Sequence, residues 1–153
     1  MVDDDNKVVG MITENDLLHD ALVEIALVDH NEMSQAAEGL EHYTIREIID
    51  HHRIGTVTTR NPITFINKPV GSTSTIVANL YRENHVSIPL EIAQILLCGV
   101  LSDTLILHSA TTTDIDRETA DYLSSISGLE IAKLGQDILN AGSHIGTRAA
   151  ADV

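Results

Sequence analysis

The chain is 153 residues long, with 23 acids against 9 bases for a formal charge of −14, and it is 43% hydrophobic but only 3% aromatic. That length suits one compact domain with an aliphatic core, and the negative surface argues against non-specific binding of nucleic-acid phosphates. No apolar run approaches the roughly 18 residues of a membrane span, no basic start signals export, and the single cysteine, Cys98, cannot close an internal disulfide; a soluble protein of the reducing cytoplasm is expected.

The opening, Asp3-Asp4-Asp5-Asn6, reads as a hairpin turn leading into a strand from Val8 to Ile12. Thr13 then suits an N-cap, with Asp16 three residues on as an approximate capping box. Ile25-Ala26-Leu27-Val28 is a short continuous apolar run, the pattern of a strand buried on both faces. Met33 to Glu38 is helix-compatible and Gly39 is a natural stop. Ile45 to Ile49 is the next strand, ending on Asp50-His51-His52-Arg53. Strand, short crossover, strand predicts a parallel pair.

Thr56-Val57-Thr58 and Ile63-Thr64-Phe65-Ile66 are strand-like runs on either side of the turn Arg60-Asn61-Pro62. Gly71-Ser72-Thr73 opens a helix carried by Ile76, Val77, Leu80 and Tyr81; such a start suits ordinary capping or an anion. Pro89 fits the first turn of a helix whose interior, Ile92 to Leu101, is nearly all apolar and so belongs in the middle of a domain. Asp103 closes it and needs a partner, either a metal or a backbone cap. Thr111-Thr112-Thr113-Asp114 offers N-caps for a helix striped by Ile115, Thr119, Tyr122, Leu123 and Ile126, stopped at Gly128. Ile131, Leu134, Ile138 and Leu139 mark the last helix, stopped at Ala141-Gly142.

The chemistry concentrates where the two predicted parallel strands end. Aspartate and histidine are the ligand types that hold manganese, iron, cobalt and zinc, and ligands of open parallel sheets bind outside the carboxyl ends of the strands. Asp29 and Asp50-His51-His52 should therefore face one cleft.

Four stretches in order, Val28-Asp29-His30-Asn31-Glu32, Ile49-Asp50-His51-His52-Arg53, Pro69-Val70-Gly71-Ser72-Thr73 and Ser102-Asp103-Thr104-Leu105, resemble the DHH phosphoesterase superfamily. Within it, they are most similar to the manganese-dependent family II inorganic pyrophosphatases. The resemblance implies an α/β fold, a parallel sheet with helices on both faces, over residues 21–142. It implies two-metal hydrolysis of pyrophosphate by a metal-activated water, with manganese, or cobalt or magnesium, as cofactor. Asp29, His51 and Asp103 would be metal ligands, His52 would sit beside the substrate phosphate, and Asp50 would orient its neighbours. His30 and Asn31 are near enough in sequence to support them from behind.

Residues 1–20 resemble the last strand and helix of a CBS motif, through Gly10-Met11-Ile12-Thr13 and Asp16-Leu17. That likeness implies Thr13 and Asp16 as contacts to a regulatory adenine nucleotide (AMP, ADP or ATP), and the CBS-containing branch of the family implies a homodimer. The family's His-x-x-x-Asp-x-Asp strand is not found here. Residues 143–153 read as the start of a linker to a substrate-gripping domain. The chain is thus expected to be an internal piece, inactive alone. Two other functions fit parts of the pattern: a phosphoesterase for short oligonucleotides or cyclic dinucleotides, and a non-catalytic nucleotide-sensing or dimer-forming module.

Overall fold

A computed structural model describes residues 2–14 and 23–143. Three strands, β1 (Glu24–Val28), β2 (Thr44–Asp50) and β3 (Thr64–Asn67), form a parallel sheet in the order β1-β2-β3. Val28 pairs with Ile49, and Asp50 with Asn67, so all three carboxyl ends open on one side. β2 is central because its apolar residues are hydrogen-bonded on both edges, and Ile48 is fully buried. β1 departs from expectation. Only Leu27 of that strand is buried, and Val28 is 47% exposed. A continuous apolar run predicts a strand but not what covers it.

The connection from β1 to β2 is two 3-10 turns, Met33–Gln35 and Leu40–His42, rather than the helix expected over 33–38. Neither turn buries a residue, so no packing sustains a longer helix there. Gly39, at φ +91°, turns the chain between them as expected.

Four helices follow: α1 (Thr73–Glu83), α2 (Leu90–Asp103), α3 (Asp114–Ser127) and α4 (Ile131–Ser143). Ser72 caps α1 by accepting from Ser74 N, Thr113 and Asp116 form a reciprocal capping box for α3, and Gly128 closes α3 in a left-handed conformation. α1 lies against β2. Ala78, Ala93, Leu97, Val100, Leu101, Ala120 and Leu123 are fully buried in the core that joins α1, α2 and α3, and the alanines let the helices approach closely. α2 is less enclosed than its sequence suggests, since Ile95 is 68% exposed. Asp103 ends that helix on the surface, where hydration removes the burial penalty expected for it.

Past α2, three consecutive side-chain-bearing residues, Leu105, Ile106 and Leu107, take φ of 48°, 54° and 64°. Each left-handed residue costs about 1–2 kcal/mol. Buried Thr104 holds this turn: its Oγ1 donates to Val100 O and accepts from Leu107 N, while its carbonyl accepts from His108 N and Ser109 N. Ile106 then packs so closely on α4 that a Cβ at Gly135 would lie 2.7 Å from it.

Two expected strands are not seen. Val8 makes one antiparallel bridge to Val2 around the Asp3-centred turn, and residues 9–13 join no ladder among the described residues. Thr56-Val57-Thr58 also joins none, since β2 pairs with β3 instead and leaves 51–63 as connection. Asp16 lies outside the described residues. Among the described residues, no helix is long and apolar enough to cross a membrane.

Leu97→Ala should lower stability by about 2–5 kcal/mol, because the cavity opens in the fully buried core. Ile95→Ala, one turn face away, should stay within about 0.5 kcal/mol. Denaturant midpoints of the two variants check both values.

Candidate metal centre

Parallel pairing brings the ends of β1 and β2 together. Asp29 N donates to Ile49 O at 2.9 Å, and Asp29 takes φ +69°, a left-handed conformation that Asp tolerates better than most residues. This places its carboxylate against the histidines that follow β2. Asp29, His51 and His52 each offer one ligand atom, all within 4.8 Å of one another. His51 Nε2 stands 3.5 Å from Asp29 Oδ1. Two donors on one metal at ordinary bond lengths lie about 3.0–3.4 Å apart, so a small contraction would bring them into coordination.

Each histidine is held in one tautomer. His51 Nδ1 donates to Val70 O at 2.9 Å, which leaves the Nε2 lone pair free. His52 Nδ1 donates to Asp50 Oδ1 at 2.8 Å, which frees its Nε2 in the same way. The rings are tilted against each other, 4.2 Å between centroids. One carboxylate and two imidazoles suit a divalent ion of the manganese-to-zinc series. The residues present fit a metal.

Asp50 works from behind. It is fully buried, and burial pushes its pKa up; hydrogen bonds from the His52 ring and amide, the Asn31 amide and the His51 amide more than offset that. The carboxyl is held below its ordinary value of 3.8. Asn31 is equally important to the geometry. It donates to Asp50 Oδ2 and to Arg53 O, and accepts from Gly55 N at 2.6 Å, so it pins the loop after β2 to the loop after β1. His30 instead bonds back to Val28 O, and its Nε2 is buried with no hydrogen-bond partner among the described residues.

The structure brings together Asp29 and His51, the two expected as metal ligands, with His52, the residue expected beside the substrate in the same cleft. Asp103 is not within that group. It is exposed, and its Oδ2 accepts from Ser72 Oγ at 2.7 Å, one residue before Thr73, whose Oγ1 donates to Asp29 Oδ1 at 2.8 Å. The Ser-Thr helix start therefore holds carboxylates of the protein itself, in addition to capping α1. Asp116 carried only a local signal, the Thr-x-x-Asp spacing of a capping box. It is fully buried and accepts from Thr113 N and Oγ1, Thr75 Oγ1 and Gly71 N, at 2.7–2.8 Å. Desolvation raises its pKa, and these bonds carry it below 3.8 all the same.

A profile of the DHH family, N-terminal domain, matches residues 4–100. The chain belongs to the DHH family. As a DHH family member it is 48% identical over 143 residues to a probable manganese-dependent inorganic pyrophosphatase of Thermotoga maritima, a stretch covering 94% of this chain and 26% of that protein. It is 44% identical over 129 residues to a manganese-dependent inorganic pyrophosphatase of Methanothrix thermoacetophila, covering 84% and 42%. The fold superposes with a TM-score of 0.77 and 41% identity on a solved Methanococcus jannaschii protein assigned to the family II inorganic pyrophosphatases, covering 82% of this chain and 44% of that one. The DHH chain thus spans a quarter to under half the length of these relatives.

The depressed pKa of Asp116 sets an acid limb. Its folded value lies below 3.8, so the unfolded chain takes up the proton first; the carboxylate's contribution is complete well above 3.8 and drains away as pH falls toward the folded value. Asp116→Asn should therefore flatten the loss of stability below about pH 4, measured by urea unfolding from pH 2 to 6.

Proposed function

We infer that the complete protein hydrolyses inorganic pyrophosphate to two phosphates, using manganese. The observation that carries this reading is the Asp29, His51, His52 group at the carboxyl ends of parallel strands, in a chain whose relatives bear pyrophosphatase names.

Bound divalent metals would supply Lewis-acid polarisation of phosphate oxygens and a water made acidic enough to attack at neutral pH. The chain's own residues do the rest. Asp29 and His51 would hold a metal, and Asp103 is the further carboxylate that the family resemblance offers as a ligand. His52, with Nδ1 committed to Asp50, presents only Nε2 to a phosphate oxygen or a metal. Asp50 keeps its charge in a buried site, orients the His52 ring and holds the backbone amides of both histidines. The −14 charge of the chain repels a bare polyanion, so the substrate arrives with its charge compensated by cations.

The reading extends to residues 1–20 as the end of a CBS motif, with Thr13 and Asp16 toward an adenine nucleotide, and to a homodimer in the cytoplasm. In support, the Thermotoga relative aligns over nearly the whole of this chain, yet the aligned stretch is a smaller share of it than of the others. That relative carries additional sequence, as a regulatory insertion requires.

Asp29→Asn keeps a residue that accepts the left-handed backbone and removes the charge. In the complete protein it should lower manganese-dependent phosphate release by more than about 100-fold, beyond what loss of a supporting hydrogen bond costs. Phosphate release from pyrophosphate, run beside a dinucleotide substrate, checks it. Unchanged turnover overturns the reading, and preference for the dinucleotide would move the substrate to oligonucleotides.

A further inference from the structure

A helix cap needs no burial and no distant partners, yet Asp116 has both. Its bonds to Thr113 N and Oγ1 complete the box that starts α3. Its other two bonds go to Gly71 N and Thr75 Oγ1, residues 45 and 41 positions earlier in the chain. These two lie in the segment that touches two members of the metal centre and the nearby Asp103. Val70 O receives His51 Nδ1, Ser72 Oγ donates to Asp103, and Thr73 Oγ1 donates to Asp29.

The segment has little freedom once Asp116 is in place. A Cβ at Gly71 would lie 2.7 Å from Thr104 Cγ2 and 2.9 Å from Asp116 Oδ2, so the backbone is pressed against both. Ser72, Thr73 and Thr75 are buried. Asp116 therefore sits at one end of a chain of contacts, and Asp29 and His51 of the centre, with the nearby Asp103, sit at the other.

We propose that Asp116 is the positioning residue of the metal centre: by gripping Gly71 N and Thr75 Oγ1 it sets where residues 70–73 hold Asp29, His51 and Asp103. It touches no candidate ligand itself, and the proposal rests on the metal-site reading above. Supporting hydrogen bonds behind metal ligands are worth about 10–100-fold in metal affinity, and the effect here passes through one more covalent segment.

The complete protein titrated with Mn²⁺ by calorimetry tests this, beside metal-free thermal melting. Thr75→Val should weaken Mn²⁺ binding about tenfold, Thr75→Ser should restore it, and Asp116→Asn should weaken it at least as much as Thr75→Val. Thr113→Ala, which leaves the bonds of Asp116 to Gly71 and Thr75 in place, should lower the melting temperature and weaken Mn²⁺ binding less than Thr75→Val does. A residue with a purely structural role gives the opposite pattern: Thr75→Val and Asp116→Asn melt earlier yet bind Mn²⁺ like the unaltered protein, and that result overturns the proposal even if Asp116→Asn alone fails to fold. Asp29→Asn separates the two levels. If it too binds Mn²⁺ normally, the metal-site reading has failed and the proposal with it; if it alone loses binding, only the positioning role is wrong.

Discussion

Asp50 is a carboxylate shut away from water at the point where two strands end, and the local architecture follows from keeping it charged. An ionised group in that position is tolerable only when its lone pairs are occupied. The amides of His51 and His52 supply two bonds, the His52 ring a third and Asn31 a fourth. Satisfying the carboxylate therefore curls the chain after β2 around it. It also orients one imidazole and draws in the loop after β1 through Asn31. Removing that charge would loosen both the chain after β2 and the loop after β1.

The second imidazole is set from elsewhere. His51 leans on the carbonyl of Val70, and the residues next to Val70 hold Asp29 and Asp103. Two buried carboxylates thus divide the labour. Asp50 organises the sheet side of the centre, and Asp116 the helix side. Both are held by neutral donors for the most part, so neither competes with a metal for a cationic partner.

Much of this was written in the sequence, because it depends on short-range chemistry. The parallel pair, the acidic and imidazole strand ends, the Thr113 cap and the Gly128 stop each follow from residues within a few positions. What escaped depends on what covers what. The run Ile25 to Val28 is apolar enough for a buried strand, but β1 is covered on little more than Leu27. The run Thr56 to Thr58 has strand composition and no partner. Asp116 has a legible cap spacing, while its bonds to Gly71 and Thr75 cross more than forty positions that local pattern cannot bridge. Asp103 lies outside the group of Asp29, His51 and His52 but is tied to it through Ser72 and its neighbour Thr73, contacts that cross some thirty to forty positions.

The left-handed backbone at Asp29 narrows what evolution can put there. Glycine and asparagine accept φ +69° readily but bring no negative charge. Glutamate brings the charge on a longer side chain that gains nothing from the short-range polar contacts easing that conformation. Backbone and chemistry impose two independent filters, and aspartate passes both at the least cost. A drifting sequence can rewrite much of β1 more cheaply than the turn that follows it.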